Sequence, residues 1–353
     1  MKVFVAMSGG VDSSVAAALL REQGHDVVGV WLRLAPAADT GPRCCGTFEA
    51  GDDARRAAAV LGIPFYALNY EEVFGREVVD RFVGAYAEGE TPNPCVACNQ
   101  HVKFEGLLGD AIGKFGADAI ATGHYARVVS DAAGRARLLR ARDGAKDQSY
   151  ALYMLGQRQL KRLLFPIGEL ADKAQTRAVA ARFGLPTATK PESQDICFIG
   201  GDYRDFVARR APEAFKPGPI ERNDGALVGT HAGIGGYTVG QRGRLGVATG
   251  ERLYVLRLEP ARRAVVVGTR DELGARSYRL RGLRFTQDEP PAPRFRTTVA
   301  LRYRGAPLGA EVIVDGNEGT LLLDGRAAVA AGQVAALYEG DEVVGGGVIA
   351  AAA

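Results

Sequence analysis

Three groups of residues in this chain have types and spacings that could do chemistry. The first is Ser8-Gly9-Gly10-Val11-Asp12-Ser13-Ser14, which follows an apolar opening from Lys2 to Met7 and precedes an Ala/Leu-rich run ending at Gly24. A short β-branched strand, a glycine turn and a helix start make an anion site. Amides and hydroxyls point at a phosphate, and the first helical turn carries partial positive charge. The glycines let the backbone come close to the ligand and take up positive φ. The run contains neither GxxxxGK[ST] nor GxGxxG, so it is neither a Walker loop nor a dinucleotide fingerprint.

The second group is Thr91-Pro92-Asn93-Pro94-Cys95-Val96-Ala97-Cys98-Asn99, a proline-stiffened loop that delivers a CxxC to a helix start. A thiol there has its thiolate stabilised, below the usual pKa of about 8.5. Redox exchange or structural zinc are the alternatives for an isolated CxxC. Zinc wants four ligands, and no second CxxC or neighbouring His pair is present. The third group, Glu192-Ser193-Gln194-Asp195-Ile196-Cys197-Phe198, places another cysteine far along the chain.

The elements that must position these groups alternate in the first half. Strands are expected at 2–7, 27–34, 63–69 and 118–122, and helices at 12–23, 50–61, 71–87 and 99–115. Gly24, Gly62 and Gly116 act as C-terminal stops. Such alternation predicts an α/β fold with a parallel sheet covered on both sides, and ligands at the carboxyl ends of its strands. A hairpin (125–130 and 136–141) turns at Asp131 to Gly134, and Asp172 caps a helix ending at Gly184. After Phe198 the texture changes to Gly-rich short strands, and from about 276 to strands with Gly and Pro turns that suggest a small β-barrel. The expected division is 1–203, a nucleotide-binding domain; 204–275, a central domain; and 276–353, a C-terminal β-barrel.

Bulk properties set outer limits. The chain has 353 residues, 47% hydrophobic and 24% charged, the composition of an ordinary soluble protein long enough for two or three domains. It holds no run of eighteen apolar residues and no secretory leader, so no membrane association and a cytoplasmic location are expected. The five cysteines, Cys44, Cys45, Cys95, Cys98 and Cys197, are too sparse for a disulfide framework and read as reactive or metal-binding thiols. Adjacent Cys44 and Cys45 are read as incidental. The net charge of +3 is small but unevenly spread. Arginines at 276, 279, 281, 284, 294, 296, 302 and 304 face only Asp288 and Glu289, whereas from Glu311 to Glu342 acids dominate. A basic stripe of this kind suits a phosphate backbone, although solvated strand faces would produce it too.

SGGVDSS resembles the pyrophosphate loop of ATP pyrophosphatases, which cleave ATP to AMP and pyrophosphate while adenylating a carbonyl oxygen. Together with TPNPCVACN and HVKF, ATGHYARV, KDQSYAL, LFPIG, ESQDICF, YTVGQRGRLG, RYR and AGQVAALYEGDEVVGGG, it stands in the order seen in tRNA-specific 2-thiouridylases. The resemblance covers nearly the whole chain. It implies sulfur transfer to C2 of the wobble uridine in tRNA, with ATP bound by Ala6, Met7, Ser8, Gly9, Gly10, Val11, Asp12 and Ser13, and with Leu32 and Gly123 at the adenosine. Asp12 would help hold Mg²⁺. It further implies a Cys197 persulfide loaded by a relay protein and Cys98 as partner thiol, suited either to attack the activated carbon or to form a disulfide with Cys197. The target base must leave the anticodon stack. Asn93, Pro94 and Cys95 match the family's base-contacting segment, and His124, Lys146, Asp147, Gln148, Arg302, Tyr303 and Gln333 its tRNA contacts.

Two departures stand out. Cys95 occupies a position that is Asp in many family members, and Ala331 one that is commonly Pro. Cys95, Cys98 and Cys197 together make a three-thiolate set able to hold a 4Fe-4S cluster, set against a persulfide route with Cys95 as bystander. Competing readings are a ligase of the ATP pyrophosphatase type that aminates a small substrate, and a non-catalytic iron–sulfur tRNA-binding protein.

Overall fold

The computed structural model describes residues 1–34, 46–191, 196–247 and 250–352. Its first sheet is built from β1 (Lys2–Ala6), β2 (Asp26–Arg33), β3 (Phe65–Asn69), β4 (Ala119–Thr122) and, beyond the hairpin β5 (Ala126–Ser130) and β6 (Ala136–Arg140), the short β7 (Leu163–Leu164). All neighbours are parallel, in the order β3-β2-β1-β4-β7. Chain order reverses between β1 and β4, so the connections leaving these two strands part and open a crevice at their carboxyl ends. The Ser8 loop leaves β1 at that point.

Both faces of the sheet are covered, as the uninterrupted apolar strands require. Val3, Val5, Met7, Trp31 and Ala121 pack under α1 (Val11–Glu22), α2 (Phe48–Leu61) and the helix Lys173–Arg182. Phe4, Val28, Val30, Leu32 and Ile120 pack on the other side under the continuous helical stretches 71–87 and 94–113. The expected helix stops are all present, with Gly24, Gly62 and Gly116 at positive φ. Asp172 caps its helix by accepting from the Gln175 amide at 2.7 Å. The segment 98–107 winds with the wider turns of a π-helix, which periodicity alone did not predict.

A second sheet, in the order β10-β11-β8-β9, contains β8 (Gly218–Arg222), β9 (Leu227–His231), β10 (Tyr254–Glu259) and β11 (Ala264–Gly268). The remaining strands are β12 (Ala275–Phe285), β13 (Arg294–Ala300), β14 (Leu308–Asp315), β15 (Glu318–Ala327), β16 (Val334–Glu339) and β17 (Glu342–Ala352). They run β12-β15-β14-β13-β16-β17 and close through β12 against β17, giving the expected barrel. The hairpin β5–β6 does not stand alone. Its β6 joins β17, with Glu342 opposite Leu139 and Arg137 ion-paired to Glu342.

The charge asymmetry read from the sequence is reduced in this barrel. Antiparallel pairing carries Glu311 onto Arg294 (2.8 Å) and Asp324 onto Arg296 (2.7 Å). Acids distant in sequence thus neutralise part of the arginine stripe. Arg302, Tyr303 and Arg304 lie instead on the turn between β13 and β14.

Phe198, next to Cys197, is buried with its ring 5.6 Å from Phe74, 5.4 Å from Phe82 and 5.5 Å from Phe206. This aromatic cluster is what seats the Cys197 segment on the helical layer. Phe198→Ala is expected to cost about 3–5 kcal/mol of stability, the usual penalty for an emptied aromatic core site. Urea unfolding measures it, and a loss under about 1 kcal/mol would show that the cluster does not anchor the segment.

Candidate functional site

The phosphate loop is held in shape by its own side chains. The Ser8 amide donates to Ser13 Oγ at 3.0 Å, and Ser14 Oγ donates to the Gly10 carbonyl at 2.9 Å. Gly9 has φ +73°, and a Cβ there would lie 2.1 Å from the Ala50 carbonyl oxygen, so only glycine lets the loop pass α2. Gly123, at the end of β4, approaches α1 as closely: a Cβ would stand 2.5 Å from the Ser13 amide nitrogen. Of the residues matched to ATP, the loop and Gly123 are thus in direct contact. The Ser8–Ser13 loop and Gly123 flank the crevice, and Leu32 is buried near the carboxyl end of the adjacent β2.

Two lysines that the sequence did not single out reach this loop. Lys173 Nζ lies 2.6 Å from Asp12 Oδ1, and that oxygen also accepts from the Tyr125 hydroxyl at 2.9 Å. Lys190 Nζ donates to the Gly9 carbonyl at 3.0 Å and pairs with Asp53 at 2.6 Å. No local pattern could have found them, because they lie 161 and 181 residues from their loop partners. Ammonium groups at a phosphate cradle offset the charge a triphosphate brings. Asp12 is the loop's carboxylate and would hold Mg²⁺ carried on phosphates, a cation that takes one or two protein carboxylates and draws charge from the phosphoryl oxygens.

The thiols lie across the sheet from α1. Cys98 is buried in the core under 94–113, Cys197 is partly buried against that same cluster, and Cys95 is exposed. Asn93 serves as the N-cap of the thiol-bearing helix, accepting from the Cys95 amide at 3.1 Å, and Pro94 is buried at its first position. Among the described residues no three His, Cys, Asp or Glu side chains stand together as a metal site. Cys95, Cys98 and Cys197 therefore do not fit a cluster in this arrangement. Glu192 to Asp195, and Cys44 with Cys45, lie outside the described residues.

The residues matched to tRNA contacts divide into two sets. Lys146, Arg302 and Tyr303 converge, with Arg140 and Arg304, on a cleft of about 420 Å³ between the first domain and the barrel. Tyr303 is exposed there, with the Arg304 guanidinium 5.1 Å from its ring centre. Asp147 lines this cleft as well, and it, Gln148, Gln333 and His124 are all engaged in contacts within the protein. Asp147 is buried, accepting from the Ala141 amide (3.0 Å) and Ser149 Oγ (2.8 Å), and pairs with Arg140, whose guanidinium sits 3.7 Å from the Tyr338 ring centre. Gln148 Oε1 accepts from the Tyr125 amide at 3.0 Å, and Gln333 Nε2 donates to the Thr91 carbonyl at 2.6 Å. His124 is buried between Phe104 and Phe165, with Nδ1 2.6 Å from Thr122 Oγ1. Burial, and then the Lys103 ammonium, hold its pKa well below the ordinary imidazole value, so it is neutral at pH 7.

Three family descriptions match in tandem: a tRNA methyl transferase HUP domain over residues 1–201, a tRNA methyl transferase PRC-barrel domain over 204–269, and an aminomethyltransferase beta-barrel domain over 275–349. A protein of Chloroflexus aggregans named tRNA-specific 2-thiouridylase MnmA is 49% identical, the match spanning 99% of this chain and 98% of that one. Proteins of the same name from Moorella thermoacetica (98% of each chain) and a Methylobacterium species (99% of this chain, 94% of that one) are each 47% identical. The chain belongs to the tRNA-specific 2-thiouridylase family. Membership agrees with the parallel sheet, the central unit and the closed barrel already described. No helix among the described residues is long and apolar enough to cross a membrane.

For a member of the 2-thiouridylase family, the lysines at the loop should carry much of the nucleotide binding. Lys173→Met and Lys190→Met are each expected to weaken ATP binding about tenfold or more, the worth of one charge-assisted hydrogen bond. Isothermal titration measures this, and wild-type affinity in both variants would remove the lysines from the site. His124 makes a separate, pH-dependent contribution. Its folded-state pKa lies below the unfolded value, so the unfolded chain takes up the proton first and stability falls as pH drops below about 6.5. The loss should grow as the pH is lowered from 6.5 to 5. Urea midpoints of wild type and His124→Gln over that range provide the difference; parallel curves would contradict it.

Proposed function

We propose that this protein thiolates the wobble uridine of tRNA at C2, using ATP to activate the oxygen and a cysteine persulfide to supply the sulfur. As a member of its family it is a tRNA-uridine 2-sulfurtransferase that uses ATP. The observation that carries the finer reading is positional. A phosphate loop bearing Asp12, Lys173 and Lys190 stands at the crevice between β1 and β4, and the layer of helices across the same sheet holds both Cys98 and Cys197.

Oxygen at C2 of uracil is a poor leaving group. In the proposed sequence it attacks the α-phosphorus of ATP, and pyrophosphate departs within reach of the Ser8–Ser13 amides. The terminal sulfur of a Cys197 persulfide, loaded by a relay protein, then bonds to C2, and AMP leaves with the former uracil oxygen. The Cys98 thiolate attacks Cys197 Sγ, the sulfur–sulfur bond to the base breaks, and 2-thiouridine is released. A Cys98–Cys197 disulfide remains, and an external dithiol reduces it. The reverse order, in which Cys98 first liberates sulfide that then attacks C2, ends in the same disulfide.

The tRNA is read at the cleft of Lys146, Arg302 and Tyr303. Cationic side chains there neutralise phosphates, and an exposed aromatic ring offers a surface for an unstacked base. The anticodon arm is the proposed substrate, and the cytoplasm the proposed site of action.

The two half-reactions separate cleanly by mutation. Cys197→Ser should abolish 2-thiouridine formation yet keep tRNA-dependent release of pyrophosphate, whereas Asp12→Ala should lose both, by about a hundredfold or more. Nucleoside mass analysis and a pyrophosphate assay supply the readouts. ATP-dependent amination of a small substrate by Cys197→Ser would favour a ligase instead.

A further inference from the structure

The loop ahead of the CxxC is the place where all three parts of the molecule meet. From the barrel, Arg281 on β12 grips Glu90 with both arms of its fork, at 2.8 and 2.6 Å. The turn before β16 adds two backbone contacts: Gln333 Nε2 donates to the Thr91 carbonyl (2.6 Å), and the Thr91 amide donates to the Ala331 carbonyl (2.8 Å). Gly332, at φ +85°, comes so close that a Cβ would lie 3.0 Å from the Thr91 amide nitrogen. From the central unit, Thr238 accepts from the Thr91 hydroxyl at 3.2 Å.

We propose that Glu90, Arg281 and Gln333 are positioning residues that let the barrel set the reactive geometry of the thiol helix. Pro92 and Pro94 each fix φ near −65°, so a displacement at Thr91 reaches Cys95 with little slack. Asn93 completes the transmission by capping the helix at the Cys95 amide. Arg281 itself cannot drift, because β12 is paired on both sides, to Glu318 of β15 and Val348 of β17. The Glu90 side chain is mostly covered, at 14% exposure, so releasing the fork leaves a carboxylate in a poorly hydrated place and forces the loop to move. The barrel therefore does more than offer basic residues to RNA: docked on the loop, it completes the site. This inference rests on the reading of Cys98 as the reacting thiol.

The test uses the full-length protein with Glu90→Gln, Arg281→Met and the double variant, at a temperature well below the midpoint of the least stable. Two readouts are followed: the rate of Cys98 alkylation by iodoacetamide against pH, by peptide mass analysis, and kcat and KM for tRNA thiolation. Each single change is expected to alter Cys98 alkylation and lower kcat about fivefold to tenfold, with KM for tRNA little changed. The double variant should be no worse than the singles, as expected of a pair acting as a unit. Unchanged alkylation and kcat, or additive losses confined to KM and sensitive to salt, would overturn the proposal and make Arg281 an ordinary phosphate contact. If Arg281→Met does not fold, Arg281→Lys, which keeps the charge and loses the fork, replaces it under the same criteria. A wild-type protein that fails to thiolate tRNA would refute the functional reading alone, since the alkylation series still decides the positioning role.

Discussion

Two backbone approaches that tolerate no side chain hold the nucleotide crevice in shape. Gly9 passes under the Ala50 carbonyl and Gly123 lies against the Ser13 amide, so α1, α2 and the end of β4 are drawn to one point. Without that closeness the amides at the start of α1 would not converge, and a helix terminus without convergent donors is a weak anion site. The packing also explains why the Ser8–Ser14 run is rich in small residues. Ser13 and Ser14 are buried and turn their hydroxyls onto the Gly10 carbonyl, while the Ser8 amide donates to Ser13 Oγ.

Charge is arranged in layers around this point. Asp12 is shared between Lys173 and Tyr125, and Tyr125 is held in turn by Gln148 and packs beneath Lys173. A chain of polar contacts thus runs from the loop toward the segment that carries Lys146 into the cleft. Gln148 holds the Tyr125 amide, and Asp147 pairs with Arg140. Asp147 lines the cleft together with Lys146, Arg302 and Tyr303, whereas Gln148 does not.

Much of the fold was legible because its determinants are local. The alternation of β-branched runs with Ala/Leu-rich stretches, the glycine stops at 24, 62 and 116, and the Asp172 cap each depend on a few consecutive residues. The barrel announced itself through strand spacing and turns. Other features were not legible. The pairing of β6 with β17, the neutralising of Arg294 by Glu311 and of Arg296 by Asp324, and the arrival of Lys173 and Lys190 at the loop all join residues with no local relation. Antiparallel pairing folds an acidic segment back onto Arg294 and Arg296, which charges read along the chain do not reveal.

The sequence by itself determined which chemical groups this protein owns: a glycine-rich phosphate loop at a strand end, a proline-framed CxxC at a helix start, and a distant cysteine, in an order that marks a family. Those properties follow from backbone freedom, helix-end electrostatics and thiol acidity, all of which act over a few residues. Only the tertiary structure decided which groups meet. It brought the loop and Gly123 together at the reversal of strand order, sent Gln333 to the thiol loop, and buried His124 as a neutral imidazole. It also kept the three thiols from assembling into a metal site among the described residues. Long-range proximity depends on how layers pack and strands pair, and no short stretch of sequence encodes that.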